Sequence, residues 1–245
     1  MKIIAMIPAR YAATRLPAKL MQPLGNKSVI RTTYDAVVAT NLFHEVYVVT
    51  DSRIIFDEIA SHNGKVIMSK QEHESGSDRI AEAIETLDID VVLNVQGDEP
   101  FITREPLEKL VTQFQDGNVK VASLMKKISA EDMQKPSAVK VVVDNSGNSL
   151  YFSRSPIPYA ADPASVTDNY LHVGVYGYRK QTLLDFTRWP AGRLERAEKL
   201  EQLRYLENGV QLRMALVEFE GVAIDTPADL ERAREFLARS VGAGE

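Results

Sequence analysis

Short, continuous apolar runs alternate with stretches of helical period through the first half of the chain. Residues 2–9 form an unbroken apolar run and predict a strand, residues 28–40 carry the helical repeat, and residues 45–51 (EVYVVTD) form a second β-rich run. The alternation continues with a helix over 54–62, an extended segment over 65–69, a helix over 78–87 and a buried strand over 90–95. A helix over 105–115 and a strand over 120–125 follow. Strands that are apolar on both faces and separated by helices of about ten residues predict βαβ units with right-handed crossovers. The expected fold is α/β and Rossmann-like, with a mixed, mainly parallel sheet covered by helices on both faces.

From about residue 139 the pattern changes. Residues 139–143 and 149–153 flank Asp144-Asn145-Ser146-Gly147-Asn148, which predicts a hairpin. The stretch holding Pro156, Pro158 and Pro163 predicts an extended or looping excursion. A strand over 171–179, a helix over 194–207 ended by Asn208-Gly209, and a strand over 211–219 come next. A last helix begins near Thr226-Pro227, and residues 241–245 read as a frayed tail. We expect one domain over 1–245 with two parts, 1–138 and 139–245, the hairpin region being a lid or dimerisation element added to one core.

Composition narrows the classes. With 245 residues, 44% hydrophobic and 26% charged, the chain supports a sizeable core and is neither disordered nor fibrous. The absence of cysteine excludes disulfides, thiolate metal sites and a cysteine nucleophile. The first apolar run is broken by Pro8 and Arg10, and nowhere do about 18 apolar residues run together, so a cytosolic protein is expected. A net charge of −5 argues against a nucleic-acid surface, but its distribution is uneven. Residues 1–34 hold no acidic residue and carry +6, which leaves −11 for the remainder. Such a local excess attracts a small polyanion, though cations clustered on solvated faces give the same count.

Ligands of open α/β sheets lie beyond the carboxyl ends of the strands. The first strand ends in Pro8-Ala9-Arg10-Tyr11-Ala12-Ala13-Thr14-Arg15-Leu16-Pro17-Ala18-Lys19, which is neither a Walker A nor a GxGxxG loop. Its small residues admit close approach of phosphate oxygens to backbone N–H groups, and Arg10, Arg15 and Lys19 supply charge. At the end of a later strand stands Asn94-Val95-Gln96-Gly97-Asp98-Glu99-Pro100, where Asp98 would meet a metal-bound triphosphate and Gln96 a ribose hydroxyl; a plain Gly-Asp turn also accounts for it. In Ala223-Ile224-Asp225-Thr226-Pro227-Ala228-Asp229, helix capping explains Thr226, Pro227 and Asp229 and leaves Asp225 as a second metal carboxylate or a turn residue. In His73-Glu74-Ser75-Gly76-Ser77-Asp78-Arg79, Ser77 or Asp78 is the expected cap, and Arg79 with the backbone near Gly76 can face a base edge. His44 and His62 read as surface residues, and His172 as a satisfied strand histidine. No triad order or HExxH appears, which leaves metal-assisted transfer at phosphorus.

The runs IPARYAATRLPAK, YVVTDS, EHESGSDRIAEA, VVLNVQGDEP, AVKVVVD, LYFSRSPIP, HVGVYGYR, EKLEQLRYLENG and IDTPADLERAR together resemble the 3-deoxy-manno-octulosonate (Kdo) cytidylyltransferase family across essentially the whole chain. That family belongs to the nucleotidyltransferase superfamily, whose sheet is of the nucleotide-diphospho-sugar transferase type. The resemblance implies attack by the anomeric hydroxyl of Kdo, or of a close analogue such as the 8-amino sugar, on the α-phosphate of CTP. Pyrophosphate leaves, Mg²⁺ is the cofactor, and the product serves lipopolysaccharide synthesis. It further implies that residues 1–138 take the nucleotide and 139–245 the sugar. Arg10, Thr14, Arg15 and Lys19 would hold the triphosphate, Asp98 and Asp225 the Mg²⁺, Ser77 and Arg79 the cytosine, and Gln96 the ribose. Arg154, His172, Tyr176, Glu201 and Gln202 would meet the sugar acid, although position alone reads Glu201 and Gln202 as a solvated helix face. A homodimer through residues 151–170 is implied. The competing readings are transfer to another acidic sugar such as sialic acid, or a nucleotide-binding regulatory module.

The family loop commonly reads ASTRLPGKPL, where this chain has Ala13, Ala18 and Leu20-Met21. Loss of a hydroxyl at Ala13 removes one phosphate hydrogen bond, worth about 1 kcal/mol. Alanine rather than glycine at Ala18 argues against a left-handed backbone there.

Overall fold

The computed structural model describes residues 1–161, 168–218 and 221–242, with side chains given as far as residue 239. Pro163, Phe219 and residues 243–245, on which parts of the predicted loop, strand and tail fall, lie outside the described residues. The chain divides into two compact units, Met1–Arg104 with Glu220–Glu245, and Glu105–Phe219.

In the first unit, strand β1 (Ile3–Ala9) is buried at all seven positions, as its unbroken apolar run requires. After it come the short strands β2 (Pro23–Leu24) and β3 (Lys27–Ser28), helix α1 (Val29–Ala39), β4 (Glu45–Thr50), α2 (Arg53–Ala60), β5 (Val66–Met68), α3 (Gly76–Ile84) and β6 (Val91–Asn94). The order β6-β1-β4-β5 is parallel throughout. α1, α2 and α3 pack on these strands through buried residues such as Ile30, Val37, Ile55, Ile59, Ile80 and Ile84. The paired strands β2 and β3 went unpredicted, although Gly25-Asn26 between them is a two-residue hairpin signal. Gly25 takes φ +64, and a Cβ there would stand 2.9 Å from Leu237.

Three local predictions need correction. Ser75, not Ser77 or Asp78, caps α3, accepting the Asp78 N–H at 3.1 Å; Ser77 lies inside the first turn. Ala18 does adopt the left-handed conformation, at φ 48 and ψ 37, without glycine. It is held there by a one-turn 3₁₀ helix at Lys19–Met21, by the Met21 N–H donated to Ala18 O at 2.8 Å, and by the flanking buried Leu16 and Leu20. The third correction falls in the second unit.

That unit begins with α4 (Arg104–Gln113) and β7 (Val121–Lys127), then β8 (Lys140–Val143) and β9 (Ser149–Ser153), which form the predicted hairpin. The Asp144 carboxylate accepts from Ser146 and Asn148 N–H, and Gly147 takes φ +78. β10 (Tyr170–Arg179) runs antiparallel to β7 and to β8, so the strand pairing is mixed as expected. Helices α5 (Lys180–Phe186), α6 (Arg193–Glu198) and α7 (Leu203–Glu207) precede β11 (Leu212–Leu216), which is parallel to β7. The single helix predicted over 194–207 is two, broken at Lys199 with φ 54. Arg154 captures the carbonyls at the break, donating from Nε to Glu198 O at 2.8 Å and from a terminal nitrogen to Lys199 O at 3.3 Å; this contact outweighs helical continuity.

The chain returns to the first unit as α8 (Pro227–Gly242), opened by the predicted capping box. Thr226 N–H donates to Asp229 at 2.8 Å, and Asp229 N–H to Thr226 Oγ1 at 3.3 Å. No helix among the described residues is long and apolar enough to cross a membrane.

The backbone at Ala18 orders two substitutions. Relief of left-handed strain and added unfolded-chain entropy are each about 1 kcal/mol and oppose one another, so Ala18→Gly leaves the melting temperature within about 2 °C. Ala18→Val, β-branched in the same conformation, lowers it by more than about 4 °C. Thermal denaturation of both variants checks the order, and a neutral valine with a destabilising glycine would contradict it.

Candidate active site

The loop after β1, the loop after β6, the start of α3 and the turn before α8 all belong to the first unit, and they line one cavity of about 460 Å³. Hydrogen bonds between these loops fix their places. Val95 N–H reaches Met6 O at 3.0 Å, Thr33 Oγ1 donates to Gly97 O at 2.8 Å, and Ile224 N–H donates to Asp98 O at 3.0 Å. The last bond ties the loop carrying Asp98 to the turn carrying Asp225. Gly76 is similarly confined, since a Cβ there would meet Pro8 at 3.0 Å.

At the centre, Lys19 Nζ donates to Asp98 Oδ2 at 2.5 Å and to Asp225 Oδ1 at 3.3 Å, while Arg15 pairs with the other oxygen of Asp225. The lysine side chain is 16% exposed and the Asp98 side chain 25%, so their attraction is less screened than at a free surface. Two carboxylates facing one point repel each other unless a cation stands between them. Lys19 supplies that cation.

Of the predicted nucleotide residues, Arg10, Thr14, Arg15, Lys19, Arg79, Gln96, Asp98 and Asp225 line the cavity. Ser77, buried at 3%, is not among its lining residues; Gly76, whose backbone was expected near the base, is, and so is Ser75, unassigned from sequence. Arg79 is 3% exposed and ties three segments together, donating to Ala9 O at 3.1 Å and pairing with Asp51 at 2.5 Å. Its Nε remains a buried donor without a partner among the described residues. Gln96 is steadied by Asn94 Oδ1 at 3.2 Å. His73, also lining the cavity, bonds Glu82 at 2.7 Å; its position beside the helix start was the available signal.

The residues predicted for the sugar acid lie in the second unit. His172 Nε2 is 2.9 Å from Ser123 Oγ, Gln202 Nε2 is 3.4 Å from His172 Nδ1, and Tyr176 Oη is 3.5 Å from Gln202 Oε1. Gln202 is 5% exposed, so the solvated helix face expected there is wrong: the break at Lys199 turns it inward. Glu201 lies close enough to raise the Tyr176 phenol, although desolvation is the larger cause. Arg154 is committed to backbone carbonyls, including Pro136 O at 3.1 Å, and so shapes the turn between α6 and α7. Burial pushes the His172 imidazole down from its ordinary 6.5 to about 3, and both ring nitrogens face protein partners. The satisfied strand histidine expected from sequence is what the structure shows.

A family model described as cytidylyltransferase matches residues 4–214. A 3-deoxy-manno-octulosonate cytidylyltransferase of Flavobacterium johnsoniae is 57% identical over 97% of this chain and 99% of its own length. One of Bacteroides thetaiotaomicron is 41% identical over 97% and 98%. The solved structure of a CMP:2-keto-3-deoxy-manno-octonic acid synthetase complexed with CTP superposes with a TM-score of 0.94 at 38% identity, covering 98% of this chain and 100% of that one. A 4-diphosphocytidyl-2C-methyl-D-erythritol synthase from Anaerococcus prevotii shares the fold alone, with a TM-score of 0.63 at 18% identity over 97% and 98%.

The state of His172 sets a pH dependence of stability. The folded imidazole stays neutral, whereas the unfolded one takes up a proton below 6.5, so this stability is complete above 6.5 and is lost as pH falls toward about 3. At about pH 5 the interval below the unfolded value caps the loss at about 2 kcal/mol, and the exposure the residue keeps makes it smaller. Urea denaturation at neutral pH and at about pH 5 should show a shallower decline for His172→Gln than for the parent chain; parallel declines would contradict the neutral buried ring.

Proposed function

The chain belongs to the 3-deoxy-manno-octulosonate cytidylyltransferase family, and from that membership we propose that it transfers the cytidylyl group of CTP to the anomeric hydroxyl of Kdo through the cavity around Lys19. The anomeric oxygen attacks the α-phosphorus, the bond from that phosphorus to the bridging oxygen breaks, and pyrophosphate leaves with the electron pair. The hydroxyl proton passes to solvent. Such transfers depend on positioning and charge neutralisation rather than on a protein nucleophile. The observation that supports this reading most directly is the convergence of Asp98 and Asp225 on the Lys19 ammonium beside Arg15.

Within this reading, Arg10, Thr14, Arg15 and Lys19 bind the triphosphate and counter the charge that grows on the departing pyrophosphate. Gln96 meets the ribose, and Arg79, which lines the cavity while held by Ala9 O and Asp51, meets the cytosine. His172 and Tyr176 on β10, with Glu201 and Gln202 on the turn that Arg154 holds, receive the sugar acid.

Mg²⁺ is the proposed cofactor. Among the described residues no three metal-ligating side chains gather, but Mg²⁺ commonly takes one or two carboxylates and completes its shell with water and phosphate oxygens. Asp98 Oδ2 and Asp225 Oδ1 already face one cationic centre, so the donor set fits, and these two residues would hold the ion. When bound, the ion would polarise the phosphoryl oxygens. Lys19 would then be freed to pair with phosphate.

Supporting a homodimer are Leu150, 56% exposed, and Tyr159, 90% exposed, which flank and occupy the segment assigned to the interface. We place the enzyme in the cytosol, where CTP is made, supplying an activated sugar for lipopolysaccharide synthesis.

With CTP, Mg²⁺ and Kdo, pyrophosphate release should proceed well above that with sialic acid; equal or reversed rates would overturn the sugar assignment. Asp98→Asn should cut kcat by about 10²–10³-fold while keeping the fold by circular dichroism. Turnover surviving within about threefold would remove Asp98 from the metal site. Lys19→Ala should raise the KM for CTP by about tenfold or more, and unchanged kinetics would return the loop to a solvated connection.

A further inference from the structure

Ser123 lies on β7 opposite an irregularity in β10, where the register moves from Val173 to Tyr176 while β7 advances by one residue. It is fully buried. Among the described residues its hydroxyl oxygen has three polar neighbours: His172 Nε2 at 2.9 Å, Val175 O at 2.9 Å and Val173 O at 3.2 Å. A serine hydroxyl offers one proton, and a carbonyl oxygen can only accept. Were that proton directed to the imidazole, two carbonyl oxygens would face the serine oxygen with no hydrogen between them. Directed to a carbonyl instead, it leaves the serine oxygen to accept, and of these three neighbours only His172, through Nε2–H, is able to donate. Donor counting therefore selects the Nε2–H tautomer, and Nδ1 becomes an acceptor.

We propose that Ser123 is a positioning residue for the sugar-acid site: by fixing the His172 tautomer it sets the orientation of the Gln202 amide. With Nδ1 accepting, the Gln202 amide nitrogen must face His172, at 3.4 Å, and its oxygen must face the Tyr176 hydroxyl, at 3.5 Å. These are long bonds, so each is weak alone, and the direction of the whole chain is set from its buried end at Ser123. Ring packing holds the imidazole in place, with Phe152 edge-on at 5.1 Å and Tyr176 at 5.3 Å. The proposal rests on the reading that His172, Tyr176 and Gln202 meet the sugar acid, and it adds a residue that touches no substrate.

The test joins a spectrum to kinetics. Long-range ¹H–¹⁵N correlation of the full chain labelled at its four histidines identifies the His172 tautomer directly. The parent enzyme should show Nε2 protonated and Nδ1 bare; the reverse pattern overturns the proposal. Ser123→Ala should mix the tautomers and raise the KM for Kdo by about fivefold, with the KM for CTP within about twofold. Ser123→Thr, which keeps the hydroxyl, should restore both readouts. An alanine variant with parental spectrum and parental KM for Kdo also overturns it. Should the alanine variant fail to fold, the parental spectrum and its preservation in Ser123→Thr decide. A parent enzyme with the Nε2–H tautomer but no turnover of Kdo would refute the substrate reading while leaving the tautomer assignment standing.

Discussion

The site is organised by one electrostatic constraint: two aspartates that follow different strands, far apart in sequence, share a single ammonium group. Asp98 and Asp225 can face one point because the Ile224–Asp98 backbone bond joins their loops and because Lys19 keeps their charges from repelling. The loop that delivers Lys19 is set by the buried anchors Leu16 and Leu20 and by the left-handed turn at Ala18. The parallel order β6-β1-β4-β5 places the ends of β1 and β6 side by side, so both charge-bearing loops leave the sheet together.

The two clusters differ in their physics, and the difference matches the ligands proposed for them. Around Lys19 the groups are charged and partly exposed, as suits a mobile polyanion with its own counter-ion. Around His172 the imidazole and phenol are held neutral by desolvation, and direction is carried by hydrogen bonds between neutral groups. Each hydroxyl of a sugar acid can donate and accept, and partners whose own donors and acceptors are oriented select one direction for each of those bonds.

Much of the fold was legible because it depends on periodicity: the buried run of β1, the alternation through β6, the Asp144–Asn148 turn and the Thr226–Asp229 capping box all follow from local chemistry. What escaped depends on contacts distant in sequence. Nothing near residues 194–207 announces a break at Lys199, since the cause is an arginine some forty positions earlier. Ala18 looked unsuited to a left-handed turn because the stabilising partners are tertiary. The cavity's cations and carboxylates were legible from their places after strands, whereas the inward turn of Gln202 requires the helix break at Lys199, and the role proposed for Ser123 requires the bulged pairing of β10 with β7.

The most direct measurement of the central claim is a crystal structure of the enzyme with CTP and Mg²⁺ bound. The account predicts Asp98 and Asp225 as ligands of the metal ion, with the Lys19 ammonium displaced from between them onto a phosphate oxygen. A structure in which Lys19 keeps both carboxylates while the ion and triphosphate bind elsewhere would contradict it.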